Sequence, residues 1–221
     1  MRSIFNLSQI SSPHFFQTPR NYGGLGLAAC FDLRACAVIA QVYRALNPDS
    51  SPFFEIFRYE LCLQASFSTL EDALEKMQCP NLSLQRGTAR FLSSGKWSTV
   101  VAALKHLRKS ISISFKLEQN SVVLLIGKLD GMNFPAKSAQ LFRFLRLALG
   151  YFHLDSLILQ AQQGHSFALI SKRPLSSHFY RYGQGVRFCD WKFVFPARLD
   201  LLVTRLTWSR YSFNNNCRRC Q

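Results

Sequence analysis

Apolar residues recur at Leu27, Phe31, Ala35, Val38, Val42 and Leu46, three or four positions apart. That spacing is one face of a helix, and the turn-forming stretch "NPDSSP" (Asn47 to Pro52) stops it. The segment before it, "SSPHFFQTPRNYGGLGLAAC", reads as a loop up to Gly23, Gly24 and Gly26, a tight turn feeding the helix. Helical pattern resumes in "FFEIFRYELCLQA" and in "TLEDALEKMQ", where Ser68 or Thr69 caps the start and Glu71 and Asp72 suit the first turn. "CPNLS" then breaks the pattern. "KWSTVVAALKHLRKS" predicts a helix with Trp97, Val101 and Leu104 inward, and Lys105, Arg108 and Lys109 as a basic ridge on the other side. In "SISISFKLEQNSVVLLIG" the period changes to two, with Ile111, Ile113, Phe115 and Leu117 alternating, which predicts a short strand or hairpin. "AKSAQLFRFLRLALGYFHLDSLILQAQQG" predicts a long helix bent near Gly150 and closed by Gly164. A last helix falls in "CDWKFVFPARLDLLVTRL", interrupted or begun at Pro196. There is no internal repeat, and the expected fold is mainly α, with a minor β hairpin.

Composition agrees with a packed fold. The chain has 221 residues, 48% hydrophobic and 18% charged, enough for one sizeable domain or two small ones. Runs such as "VVLLIG" fall far short of the ~20 apolar residues that cross a bilayer. The start lacks the apolar stretch of a signal peptide, so the sequence predicts a soluble, intracellular protein. Charge changes the picture more. Lys and Arg number 27 against 12 Asp and Glu, for a net +15. Between Asn81 and Leu117 lie Arg86, Arg90, Lys96, Lys105, Arg108, Lys109 and Lys116 with no acid; from His165 onward ten basic residues face only Asp190 and Asp200. Such a field attracts phosphate. Nucleic acid is therefore the expected partner, ahead of an acidic membrane surface and of a merely solvated basic face.

Candidate chemistry is sparse. Cys30, Cys36, Cys62, Cys79 and Cys189 sit among apolar neighbours and read as small buried hydrophobes. Cys217 and Cys220, in the final "CRRCQ", have the spacing of a zinc loop but supply only two of four ligands. Zinc would bind there only with ligands from elsewhere. The histidines His14, His106, His153, His165 and His178 are far apart in sequence and read as surface or hydrogen-bonded residues. "GGLGL" lacks the pattern of a nucleotide-binding loop, and no nucleophile elbow, H-E-x-x-H or Mg²⁺-binding acid pair is present. No catalytic residue is assigned.

Two stretches in order resemble a family. "IFNL" with "FFQTPRNYGGLGL" is similar to the segment after the palm in reverse transcriptases of non-LTR retrotransposons, where an R-x-x-GGLGL turn leads into the thumb. "GQGVRFCDWKFVFPARLDLLVTR" followed by "CRRC" resembles the linker before a zinc knuckle in the restriction-like-endonuclease branch. Trp191, Arg198, Leu199, Asp200, Thr204 and Arg205 carry that match, and Val203 stands where many members have proline. The resemblance implies a helical thumb and linker without polymerase aspartates or endonuclease. Residues 1–50 would be the post-palm segment and first thumb-like helix, 51–180 the helical thumb and linker, 181–216 the pre-knuckle linker and 217–221 the knuckle's first half. It implies RNA or an RNA–DNA duplex as ligand, the polymerase and endonuclease parts of the polyprotein as partners, and a nuclear location. A thumb grips an A-form duplex by its phosphates. The candidate contacts are Arg90, Lys96, Lys105, Arg108, Lys109, Arg198, Arg205, Arg218 and Arg219.

Two other readings compete. A stand-alone basic RNA-binding accessory protein would share one zinc between the CRRC pairs of two copies. A chain that does not fold by itself would leave its apolar faces, rich in phenylalanine, exposed.

Overall fold

The computed structural model describes residues 12–49, 51–65, 68–78, 96–127, 133–134, 140–161, 163–172 and 187–199. The fold is mainly α, with eight α-helices and a small antiparallel sheet among these residues. Packing divides the chain into two compact units, Ala28–Phe152 and the discontinuous Met1–Leu27 with His153–Gln221. These boundaries fall at other positions than the motif-based segments. No helix among the described residues is long and apolar enough to cross a membrane.

In the unit Ala28–Phe152, helix α2 (Cys30–Ala45) buries Ala35, Cys36, Ile39, Ala40 and Tyr43. The predicted stripe is thus displaced: Phe31 is 73% exposed, and Val38 and Val42 are only partly buried. The helix is apolar around most of its circumference, so spacing alone does not choose a face. The face that wins lies opposite Arg34, Gln41 and Arg44, about a quarter turn from the Phe31 stripe. Helices α3 (Phe54–Ala65) and α4 (Leu70–Gln78) follow, and the Thr69 hydroxyl accepts from the Asp72 amide as the expected cap. Helix α5 (Lys96–Leu107) packs against α2 through Trp97, Val100, Ala103, Leu104 and Leu107, with Val101 half-buried.

Strands β1 (Ile113–Glu118) and β2 (Ser121–Ile126) form the expected hairpin, in register from Ile113 opposite Ile126 to Glu118 opposite Ser121. The two-residue turn places Gln119 and Asn120 at φ 45° and 63°, the left-handed pair that matches strand twist. Ile113 and Phe115 with Val122, Leu124 and Ile126 bury one face. A third strand, β3 (Asn133–Phe134), adds to β2. The "NPDSSP" stop proves to be a node. Asn47 is fully buried, donating to the Tyr43 and Val122 carbonyls (2.9 and 3.0 Å) and accepting from the Val122 amide (2.7 Å). Arg58 of α3 donates to the Leu46 carbonyl and to both oxygens of Asn120, tying α3 to the end of α2 and to the hairpin turn.

Helix α6 (Leu141–Ile158) runs unbroken through Gly150. Leu141, Leu145, Ala148 and Leu149 join the core just described, while Leu154 and Leu157 belong to the other unit. The helix ends before Gly164, whose position a side chain would fill at 2.4 Å from the Leu157 and Ile158 carbonyl oxygens. The second unit also holds α1 (Pro13–Gln17), a 3₁₀ turn at Arg20–Tyr22, α7 (His165–Lys172) and α8 (Trp191–Arg198). Its core centres on Phe15, which meets Phe167 and Phe195 edge-on at 5.9 and 5.7 Å. Pro196 neither starts nor interrupts α8 but sits inside it. The helix is launched earlier by a 3₁₀ turn (Phe188–Asp190) in which Arg187 and Asp190 bond reciprocally, so proline removes one late bond only.

Candidate nucleic-acid interface

Helix α5 ends at Leu107, and the predicted basic ridge ends with it. Lys105 is exposed in the last helical turn, and Lys109 is exposed in the turn that follows. Arg108 is half-buried and donates from Nε to the Ile113 carbonyl (3.3 Å), bracing the passage into β1. The three do not form one helical face: two cations are presented and one serves the fold. Lys96 opens α5, roughly 18 Å of helix away from its other end, and Arg198 closes α8. Arg90, Arg205, Arg218, Arg219, Cys217 and Cys220 lie outside the described residues.

What spacing did not reveal is an open groove of about 380 Å³ between α2 and α5. Phe31 and Arg34 line it from α2, and Ser98, Thr99, Ala102 and His106 from α5. Among the described residues no acidic side chain lines it. Asp32, just beside it, accepts from or shares a proton with His106 Nε2 at 2.7 Å, pinning α2 to α5. Arg34, Lys105 and Lys109 form no ion pair among the described residues. A neighbouring groove of about 530 Å³ meets the first at Val38 and Thr99 but differs in chemistry: Val42, Phe57 and Trp97 make it apolar, and Glu60 adds an acid. Further acids are exposed on the helices that follow α2, Glu55 on α3 and Glu71, Asp72 and Glu75 on α4. Of the two grooves, the α2–α5 one is thus lined by a cation, Arg34, and its neighbour by an acid, Glu60.

Two cysteine expectations fail: Cys30, at the start of α2, and Cys189, in the turn before α8, are exposed, because these element ends lie outside the buried helix faces. Cys36 is buried as expected, and Cys62 is half-buried. Burial first, then Asp32, pushes the Cys36 thiol up to about 12, against the opposing influence of Arg146 on α6. Cys79 lies outside the described residues.

In the other unit the fold brings together two histidines that sequence left apart. His14 Nδ1 and His153 Nδ1 are 2.9 Å apart, so one ring donates and the other accepts. Burial lowers the His14 pKa. Beside them the Ser12 hydroxyl accepts from Gln160 (2.9 Å) and the Ser12 amide donates to Gln163 (2.7 Å). No third ligand joins them: among the described residues no three His, Cys, Asp or Glu side chains come close enough to hold a metal. A separation of 139 residues left no local signal for this pair. Compared with protein-family models, with curated proteins and with solved structures, the chain shows no match.

Proposed function

We propose that the chain is a non-catalytic nucleic-acid-binding element that corresponds to the thumb and linker of a non-LTR retrotransposon reverse transcriptase, and that it holds RNA or an RNA–DNA duplex by its phosphates. The observation that carries the binding claim is a set of exposed cations with no ion pair among the described residues: Arg34 lines the α2–α5 groove, and Lys105 and Lys109 are exposed at the C-terminal end of α5. A phosphate backbone is the ligand such an arrangement favours. The family reading rests on the two motif stretches and is compatible with a mainly helical fold. It gives Cys217 and Cys220 to a zinc site completed by ligands from elsewhere, and makes the nucleus the place of action.

The test is a mobility shift of the purified chain with a structured RNA and an RNA–DNA hybrid at low salt. Binding is expected, and Lys105→Glu with Lys109→Glu weakens it for both probes. Absence of any shift at low salt refutes the reading.

A further inference from the structure

The groove between α2 and α5 holds more than cations. Phe31 is 73% exposed on its rim, a large aromatic face left in water by a helix that buries its other side. Arg34 follows one turn later on the same wall, and the Thr99 hydroxyl and His106 stand on the opposite one. Its volume, about 380 Å³, lies within the ~300–1,000 Å³ usual for ligand clefts. We infer that this groove takes an unpaired nucleotide, with the base stacked on Phe31 and its phosphate at Arg34. The inference rests on the phosphate-binding reading above and adds to it a preference for single-stranded segments.

Three observations select this occupant. An aromatic platform beside an arginine is the chemistry by which proteins hold single strands, since every base has a face to stack and every nucleotide a phosphate. A base inside a duplex has both faces covered and offers nothing to Phe31, so the platform distinguishes unpaired from paired strands. Among the described residues no acid lines the groove, and Asp32 beside it is engaged by His106, which leaves the phosphate position unopposed by them. The neighbouring groove, which has Trp97 and Phe57 as aromatics, fails on this last point because Glu60 lines it.

The experiment measures fluorescence anisotropy of the full chain with a short oligouridylate and with a blunt RNA duplex of equal length. Phe31→Ala is expected to weaken the single strand by roughly 5- to 150-fold, the range that base–aromatic stacking commands, and to leave the duplex unchanged. Phe31→Tyr is expected to restore the single strand. Arg34→Gln is expected to reduce the salt slope for the single strand by about 0.7. Because Phe31 is on the surface, these variants keep the wild-type circular dichroism and melting temperature. Duplex binding together with single-strand binding that ignores Phe31 overturns this inference alone. Failure of both probes to bind overturns the phosphate reading as well. Loss of self-association in Phe31→Ala, with single-strand binding intact, would assign the face to a second copy and overturn the inference too.

Discussion

Asn47 shows how much one side chain can hold. Its amide satisfies two carbonyls and one backbone N–H from α2 and β2, all buried. Replacing it with alanine leaves both Val122 groups without that partner, and buried orphan groups cost about 1–3 kcal/mol. Asn47→Ala is therefore expected to lower stability by roughly 2–3 kcal/mol, read as a lower denaturant midpoint at unchanged slope. The sequence showed a helix stop at this position but not the node, because Val122 is 75 residues away. Cys36 makes a second case. Its thiol is raised to about 12 and the Tyr43 hydroxyl likewise to about 12, both chiefly by burial. Each raised group favours its neutral form in the fold. The stability they give is thus complete below their ordinary values of 9.0 and 10.0 and is lost as pH climbs toward 12. Alkaline unfolding in that window is expected. At pH 8 a thiol reagent followed by mass spectrometry is expected to label Cys30 and Cys189 and spare Cys36; prompt labelling of Cys36 would contradict its placement.

At the scale of elements, local rules were legible and partnered ones were not. The Thr69 cap, the period-two hairpin and the glycine turn each depend on a few adjacent residues, and the fold follows them. The buried face of α2 depends on α5, and the groove between them exists in neither helix alone. The basic ridge misled for a related reason: spacing continued past Leu107, whereas Arg108 was drawn to the Ile113 carbonyl and the helix ended. The hairpin turn yields a direct check. Gln119 occupies a left-handed conformation that suits glycine better. Gln119→Gly is expected to stabilise the protein by roughly 0.5 kcal/mol. Asn120 is left in place because Arg58 binds its side chain and carbonyl. A fall in melting temperature for Gln119→Gly would show that the turn differs from this one.

For the whole molecule, net charge of +15 was visible from the start, but its arrangement was not. Arg34 lines the α2–α5 groove, and Lys105 and Lys109 are exposed at the end of α5 with no ion pair among the described residues, so the excess charge has a place at which to act. Apolar side chains also remain outside, among them Phe53 just before α3 and Ile56, Tyr59 and Leu63 on it. Glu55 and Glu60 interleave with these in sequence, whereas Asp32 beside Phe31 is engaged by His106. The His14–His153 pair adds a pH effect in the second unit. Burial lowers the pKa of His14 and favours its neutral form in the fold, so protonation in the unfolded chain costs stability as pH falls below 6.5. Acid titration followed by circular dichroism is expected to show this loosening, and His14→Gln to reduce it. The central claim, phosphate binding by exposed cations, is tested most directly by the salt dependence of RNA affinity. A linear fall of log K with log salt is predicted, and Lys105→Gln with Lys109→Gln should make its slope shallower by about 1.5. Affinity that ignores salt, or a slope that the double variant leaves unchanged, would contradict it.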